Sequence, residues 1–251
     1  MDFKNKTVII TGSGSGIGRS TAILFADRGA NVVVSDINEK GGQETLETIE
    51  KNNGSAIFIK CNVTEFSEVD NLVGKTVEHF GSIDIAVNNA GIGGRELKRT
   101  AEHTFDDWDN VIAVNQTGVF YCMKLEIQQM LKQGSGSIIN IASIAGLRGL
   151  PNNLAYVASK HAVVGMTKTA AVEYARKNIR VNAICPVFTH SALFQQLLDY
   201  KEGLGEKLVK GIPLGRFGQP EEIGEAIMWL SSENSKFITG HALPVDGGMM
   251  A

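Results

Sequence analysis

Tyr156 and Lys160 stand four residues apart in the run Ala155-Tyr-Val-Ala-Ser-Lys-His161. In a helix, residues at i and i+4 share one face. A phenol and an ammonium on one face can move a proton. A free tyrosine titrates near ~10 and is a poor acid or base at neutral pH. A neighbouring cation favours the phenolate and lowers that value. The same spacing also describes an ordinary exposed pair on a helix surface, so the pair must be judged by the elements that position it.

Those elements are read from an ordinary globular composition. The chain has 251 residues, 43% of them hydrophobic and 20% charged, enough for a well-buried core. A net charge of -3 without blocks of like charge argues against a nucleic-acid or membrane-surface partner. Cys61, Cys122 and Cys185 are too few and too widely spaced for a disulfide framework or a zinc site, and no metal is expected. The segment Met1-Asp-Phe-Lys-Asn-Lys6 lacks the pattern of a signal peptide, and no apolar run reaches spanning length, so cytoplasmic residence is the expectation.

Short β-branched runs at 8–11, 32–36, 56–59, 83–87, 138–141, 181–185 and 242–245 alternate with helix-length stretches at 17–28, 38–52, 65–80, 104–131, 155–177 and 220–232. Near-continuous apolar strands occur when both faces of a parallel sheet are covered. The alternation predicts an α/β fold: a single-domain, doubly wound, seven-stranded parallel sheet of Rossmann type, spanning 1–251 with helices on both faces. The stretch 187–219 breaks the rhythm with Gly203, Gly205, Gly211 and Gly215, and 187–215 reads as an irregular substrate-binding loop.

Thr11-Gly-Ser-Gly-Ser-Gly-Ile-Gly18 follows the first predicted strand and opens the first helix. Glycines there permit a tight turn and close approach to a pyrophosphate, while the helix N-terminus supplies free N–H groups. Ile17 stands where the third glycine of the common G-x-G-x-x-G would fall, so the pattern is G-x-x-x-G-x-G at Gly12, Gly16 and Gly18. Asp36 ends the second strand, where a carboxylate accepts from adenosine ribose hydroxyls and repels a 2'-phosphate. With Ser13, Ser15, Ile37 and Asn38 at the positions that could hold a phosphate-pairing cation, the prediction is NAD(H). Asp36 as a simple helix cap is the alternative, and Arg19 is the nearest cation.

In this order the chain resembles the short-chain dehydrogenase/reductase family over essentially its whole length. The resemblance is carried by Gly12-x-x-x-Gly16-x-Gly18, Asn88-Asn-Ala-Gly91, Asn115, Ser143, Tyr156, Lys160, Cys185-Pro186 and Asp246-Gly-Gly248. It implies a hydride-transferring enzyme with Tyr156 as general acid for ketone reduction and general base for alcohol oxidation. Lys160 would lower the Tyr156 pKa and hold the nicotinamide ribose. Ser143 would hydrogen-bond the substrate oxygen. Asn115 would bend its helix and hold a water that relays protons to the lysine. From the residue alone, Asn115 reads as a helix-interior asparagine with a local backbone bond.

The cofactor set implied is Gly12, Ser15, Gly16, Ile17, Gly18, Asp36, Asn62, Val63, Asn89, Gly91, Tyr156, Lys160, Pro186, Thr189 and Ser191. Asn62-Val63 stands where the family usually has Asp-Val beside the adenine, and the Asn62 carbonyl is expected to keep that contact. Asn89 would act through its backbone, and Thr189 and Ser191 would meet the carboxamide. Pro186-Val187 replaces the usual Pro-Gly, which places the backbone at residue 187 in question.

For the substrate, Ser143, Ala145, Leu150, Asn153, Tyr156, Val187 and His190 are the candidate contacts, with Leu147, Phe188, Leu193, Phe194 and Leu197 around them. The set is mostly apolar and suits a hydrophobic ketone or secondary alcohol. A 3-oxoacyl-[acyl-carrier-protein] reductase is the rival reading, although Lys132-Gln-Gly-Ser-Gly-Ser137 offers one cation for an acidic carrier. A catalytically idle NAD(H)-binding regulator would need a broken catalytic set, and this set is whole. The resemblance also implies a homotetramer.

Overall fold

In a computed structural model that describes residues 1–95, 97–199 and 203–251, the seven apolar runs form one parallel sheet. The strands are β1 (Thr7–Thr11), β2 (Asn31–Asp36), β3 (Ser55–Lys60), β4 (Ile85–Asn88), β5 (Gly136–Ile141), β6 (Ile179–Pro186) and β7 (Ala242–Val245). Their order across the sheet is β3-β2-β1-β4-β5-β6-β7. The chain therefore winds outward from β1 in one direction, then from β4 in the other. Ile9 pairs with Val33 on one side and with Ala86 on the other, which places the reversal between β1 and β4. Crevices for ligands open at the carboxyl ends of strands at such a reversal.

The helices are α1 (Gly16–Asp27), α2 (Glu39–Lys51), α3 (Phe66–Phe80), α4 (Phe105–Ile112), α5 (Val119–Gln133), α6 (Leu154–Tyr174), α7 (Ala192–Asp199), α8 (Leu204–Lys210) and α9 (Pro220–Ser231). Alternation along β1 sends Val8 and Ile10 to one face and Ile9 to the other. Val8 and Ile10 join a core with Phe25 of α1, Ile49 of α2 and Ile227 of α9. Ile9 joins a second core with Leu72 of α3, Met130 of α5 and Val163 of α6. Central strands are buried on both faces and the edge strands β3 and β7 only partly, as their positions require.

The stretch 104–131, expected as one helix, is interrupted. Between α4 and α5, Ala113–Gly118 forms a π-helical segment. Wide turns of this kind recur at functional sites. The stretch 155–177 is α6 followed by one 3-10 turn over Ala175–Lys177, and Asn178 ends it with a positive φ. The segment 187–219, expected as irregular, contains α7 and α8. Its two ends are tied together, for Gly218 N–H donates to the Phe188 carbonyl at 2.9 Å and His190 N–H to the Gly218 carbonyl at 3.0 Å. Residues 200–202 of the expected loop lie outside the described residues. Among the described residues no helix is long and apolar enough to cross a membrane.

One polar chain crosses the apolar core. Asn88 Nδ2 donates to Glu126 Oε2 and to Asn140 Oδ1, each at 3.0 Å, and Asn140 Nδ2 donates to Thr167 Oγ1 at 2.9 Å. Glu126 is 2% exposed, and no cation among the described residues forms an ion pair with it. Burial pushes its carboxyl up to about 7, and the Asn88 amide offsets part of that rise.

Candidate active site

A cavity of about 510 Å³ lies at the carboxyl ends of β4, β5 and β6, beside the reversal in strand order. Tyr156 and Lys160 reach it from the first two turns of α6. The Lys160 Nζ lies 5.6 Å from the centre of the Tyr156 ring and donates to the Ile141 carbonyl at 2.8 Å. Lys160 is 4% exposed, and this burial lowers its pKa to about 8. The nearby Cys185 acts weakly in the opposite sense.

The lysine was expected to lower the Tyr156 pKa. Burial instead pushes the phenol above its ordinary range, and a hydrogen bond with Ser143 partly counters the rise. The physical reason is that apolar walls penalise the phenolate, while the cation meant to offset them is itself desolvated and turned toward the end of β5.

Ser143 follows β5 in extended backbone and caps a 3-10 turn over Ile144–Gly146, its Oγ accepting from Ala145 N–H at 3.1 Å. That turn sets the hydroxyl in the cavity wall beside Tyr156. Asn115 occupies the π-helical segment and is fully buried. Its Oδ1 accepts from Ile92 N–H and its Nδ2 donates to the Ile92 carbonyl, both at 2.8 Å. It therefore clamps the strand of chain that leaves β4. The Asn115 amide also donates to Ser159 Oγ at 3.3 Å, which joins it to α6.

The glycine loop is built for close contact. A side chain at Gly18 would run into the Gly12 carbonyl and the Asn89 amide. Asn89 contributes through its side chain as well as its backbone, donating to the carbonyls of Thr11 and Gly12 at 2.9 Å. Ser15 makes no side-chain cap on α1, and the first turn of α1 carries no acid. Its N–H groups are thus left for an anion. Asp36 is not the cap of α2, because that place is taken by Asn38. Asp36 accepts from Gly14 N–H and Asn38 N–H, both at 2.8 Å, which fixes the carboxylate against the loop. Arg19 donates through Nε to Thr45 Oγ1 at 3.0 Å, and through Nη2 to Glu44 Oε2 at 2.9 Å and to the carbonyls of Gly14 and Gly41. These features fit a dinucleotide along the ends of β1 and β2.

Ile17, Asn89, Gly91, Pro186, Thr189 and Ser191 line the cavity together with Ser143, Tyr156 and Lys160. Leu150, Asn153, Val187, Phe188, Phe194 and Leu197 form its apolar side. Gly12, Asp36, Asn62 and Val63 lie outside this cavity, toward β1, β2 and β3. The Asn62 side-chain carbonyl accepts from Thr64 N–H at 3.1 Å and Thr64 Oγ1 at 3.0 Å, which fixes it just past the end of β3. Thr189 Oγ1 donates to the Val187 carbonyl at 2.9 Å, and Ser191 Oγ accepts from Phe194 N–H at 3.1 Å at the start of α7. Val187 needs no glycine-like backbone, since the described non-glycine residues of positive φ are all asparagines.

Three expected substrate neighbours lie elsewhere. Ala145 is fully buried behind Ser143, and only its N–H takes part, through the Ser143 hydroxyl. His190 is exposed and packs edge-on against Phe194 and Phe217 outside the cavity. Leu147 packs against the core beneath α6. Leu193 lies outside the described side chains. Gly93, Gly94, Arg95 and Leu97 line the cavity without having been anticipated. The glycine run after Asn88-Asn-Ala, which needs close packing to be useful, was the available signal.

The family profile described as enoyl-(acyl carrier protein) reductase matches residues 12–250. The chain belongs to the short-chain dehydrogenase/reductase family. It is 44% identical over 245 residues to a cyclohexanol dehydrogenase of Acinetobacter sp. (strain SE19), covering 98% of this chain and 95% of the relative. It is 40% identical over 250 residues to a 3-oxoacyl-[acyl-carrier-protein] reductase of Thermotoga maritima, covering all of both chains. The crystal structure of levodione reductase superposes with a TM-score of 0.94 at 33% identity, covering 98% of each chain. As a short-chain dehydrogenase/reductase the protein is an oxidoreductase of the secondary-alcohol type, and the fold binds a nicotinamide cofactor.

Proposed function

We propose that this short-chain dehydrogenase/reductase interconverts a hydrophobic ketone and its secondary alcohol with NAD(H), and that residues 1–251 act as one catalytic unit. The observation that carries the reading is the convergence of the Tyr156 and Ser143 hydroxyls on an apolar cavity beside Lys160. The dinucleotide, when bound, supplies or receives the hydride. Its pyrophosphate would lie on the N-terminus of α1 at Gly16, Ile17 and Gly18, and its adenosine ribose at Asp36.

In ketone reduction, Tyr156 gives its phenolic proton to the carbonyl oxygen as that oxygen gains negative charge. Ser143 donates a hydrogen bond to the same oxygen, and this bond strengthens as charge develops. The phenol's raised pKa keeps it protonated and ready to donate at neutral pH. Lys160 steadies the phenolate left behind. Alcohol oxidation runs the same steps backward, with tyrosinate taking the hydroxyl proton. Leu150, Phe188, Phe194 and Leu197 keep water from the reacting carbon and match an apolar substrate body.

NAD(H) is favoured over NADP(H) because Asp36 is held at the ribose end by two N–H groups while Arg19 is committed to Glu44 and backbone carbonyls. A 2'-phosphate would meet a fixed carboxylate. Tyr156→Phe tests the mechanism: turnover of ketones should vanish while NADH binding, read by fluorescence, persists. Near-native turnover in that variant would overturn it.

The 40% identity to a 3-oxoacyl-[acyl-carrier-protein] reductase over both whole chains favours a second reading, reduction of a 3-oxoacyl thioester. NADH oxidation measured with an acyl thioester and with a cyclic ketone separates the two.

A further inference from the structure

On its way from β4 to α4 the chain runs along the cavity, which Gly93, Gly94, Arg95 and Leu97 line. Glycine-rich chain does not hold a shape by itself. Here it is held from below. Arg95 N–H donates to Asp107 Oδ1 at 2.7 Å. Gly94 takes a φ of 86°, and a Cβ built on it would lie 3.1 Å from Asp107 Oδ2 and 3.5 Å from Val111 Cγ2. The turn therefore rests directly on the carboxylate.

That carboxylate is buried, and it is fixed from its own helix. The side chains of Asp107 and His103 are 4% and 5% exposed, and the His103 Nε2 lies 3.6 Å from Asp107 Oδ2. Among the described residues, neither ring nitrogen of His103 has a hydrogen-bond partner. Thr104 caps α4 and accepts from Asp107 N–H at 3.3 Å, so Asp107 enters the first turn with its backbone held. A buried carboxylate that accepts a main-chain N–H is costly to remove, since the donor is then left unpaired.

We propose that Asp107, backed by His103, is a positioning residue for the substrate. Its carboxylate holds the turn at Gly94 and Arg95 against the cavity and sets the shape of the mouth that a carbonyl compound enters. The proposal rests on the ketone and alcohol reading for its kinetic consequence, but the hold on the turn can be measured without any substrate. Asp107 does not touch Tyr156, Ser143 or the glycine loop in any described hydrogen bond or ion pair. Its loss should therefore weaken substrate capture and spare the chemical step.

The test compares Asp107→Ala, Asp107→Asn and Gly94→Ala in the full-length enzyme with cyclohexanone and a bulkier ring-substituted cyclohexanone. Asp107→Ala should raise the ketone KM by about tenfold while kcat and NADH affinity stay within about twofold. It should also alter the preference between the two ketones. Asp107→Asn keeps an oxygen acceptor for Arg95 N–H and should recover most of the loss. Gly94→Ala, which strains the same turn from the loop side, should reproduce the KM effect if Asp107→Ala fails to fold. Hydrogen exchange should quicken in the 91–99 peptide of Asp107→Ala and not of Asp107→Asn.

Unchanged exchange there, or a ketone KM within about twofold of native for both Asp107→Ala and Gly94→Ala, overturns the proposal. So does a joint fall of kcat and NADH affinity, which marks a general structural role. If the native enzyme reduces no ketone, the functional reading fails and the exchange measurement alone decides the hold on the turn.

Discussion

Lys160 spends its ammonium on the main-chain carbonyl of Ile141, 2.8 Å away at the end of β5. The cation is thereby pinned to the sheet and not to the phenol it serves, whose ring centre is 5.6 Å off. Burial leaves this ammonium with a pKa of about 8. It is charged below that pH and neutral above it. For ketone reduction, kcat/KM should be level below about 8 and fall above it, as the support for the phenolate left behind is lost. A pH–rate profile that stays level well above that value in the native enzyme would contradict this. Lys160→Arg, which keeps its charge throughout, should move the fall to higher pH at a lower overall rate.

Ser143 shares a hydrogen bond with Tyr156 and faces the cavity. Ser143→Ala should lower kcat by roughly a hundredfold, the usual scale for losing one donor to a developing oxyanion. NADH affinity should not change. It should also raise the Tyr156 pKa further, because the bond that lowers it is removed. Ultraviolet titration of the phenol reads that shift.

Glu126 contributes a different pH dependence, in stability. Its folded pKa is raised to about 7 from an ordinary 4.5. The folded chain thus binds a proton that the unfolded chain releases, so stability is greatest below the lower value and declines as pH rises to the upper one. The full decline is roughly 3 kcal/mol. Glu126→Gln should flatten this part of the stability curve, seen as a smaller fall in denaturation midpoint between acid and neutral pH. An unchanged slope would place the carboxyl's titration elsewhere.

Asp36 and Arg19 make cofactor choice a matter of two groups. Asp36→Ala should reduce the preference for NADH over NADPH by roughly tenfold, through loss of ribose bonds and of repulsion. It should not reverse the preference while Glu44 keeps Arg19 engaged. Pairing it with Glu44→Gln should remove the one ion pair that Arg19 forms among the described residues and lift NADPH efficiency beyond the sum of the single changes. Steady-state kinetics with both cofactors decides this.

Much of this architecture was readable in the chain. β-branched runs such as Val32–Val34 announce buried parallel strands because both faces of the sheet are covered. The glycine loop and the Asn115, Ser143, Tyr156 and Lys160 set announce the family through their spacing. The π-helical segment was not readable from periodicity, since one wide turn barely disturbs the apolar pattern around it; the family resemblance alone implied a bend at Asn115. The direction of the Tyr156 shift depends on walls assembled from distant segments, so a spacing of four residues could not reveal it. His190 stood among the candidate substrate contacts, and the packing of Phe194 and Phe217 takes it outside the cavity. The rim at Gly93 and Gly94 has no side chains to signal its place, and Asp107 resembles any acid in the first turn of a helix.

The wide turn over Ala113–Gly118 has a consequence for the geometry of its two flanking helices. Each residue of an ordinary helix advances about 100° around the axis. A wide turn takes up one more residue over the same rotation, so α4 and α5 keep about the phase of an unbroken repeat. Deleting a single residue there would close the turn and leave both helices facing as they do. The loss would fall on Asn115, whose clamp on the Ile92 backbone depends on the widened turn. Helix register and the hold on the chain after β4 are thus separable by a single-residue deletion.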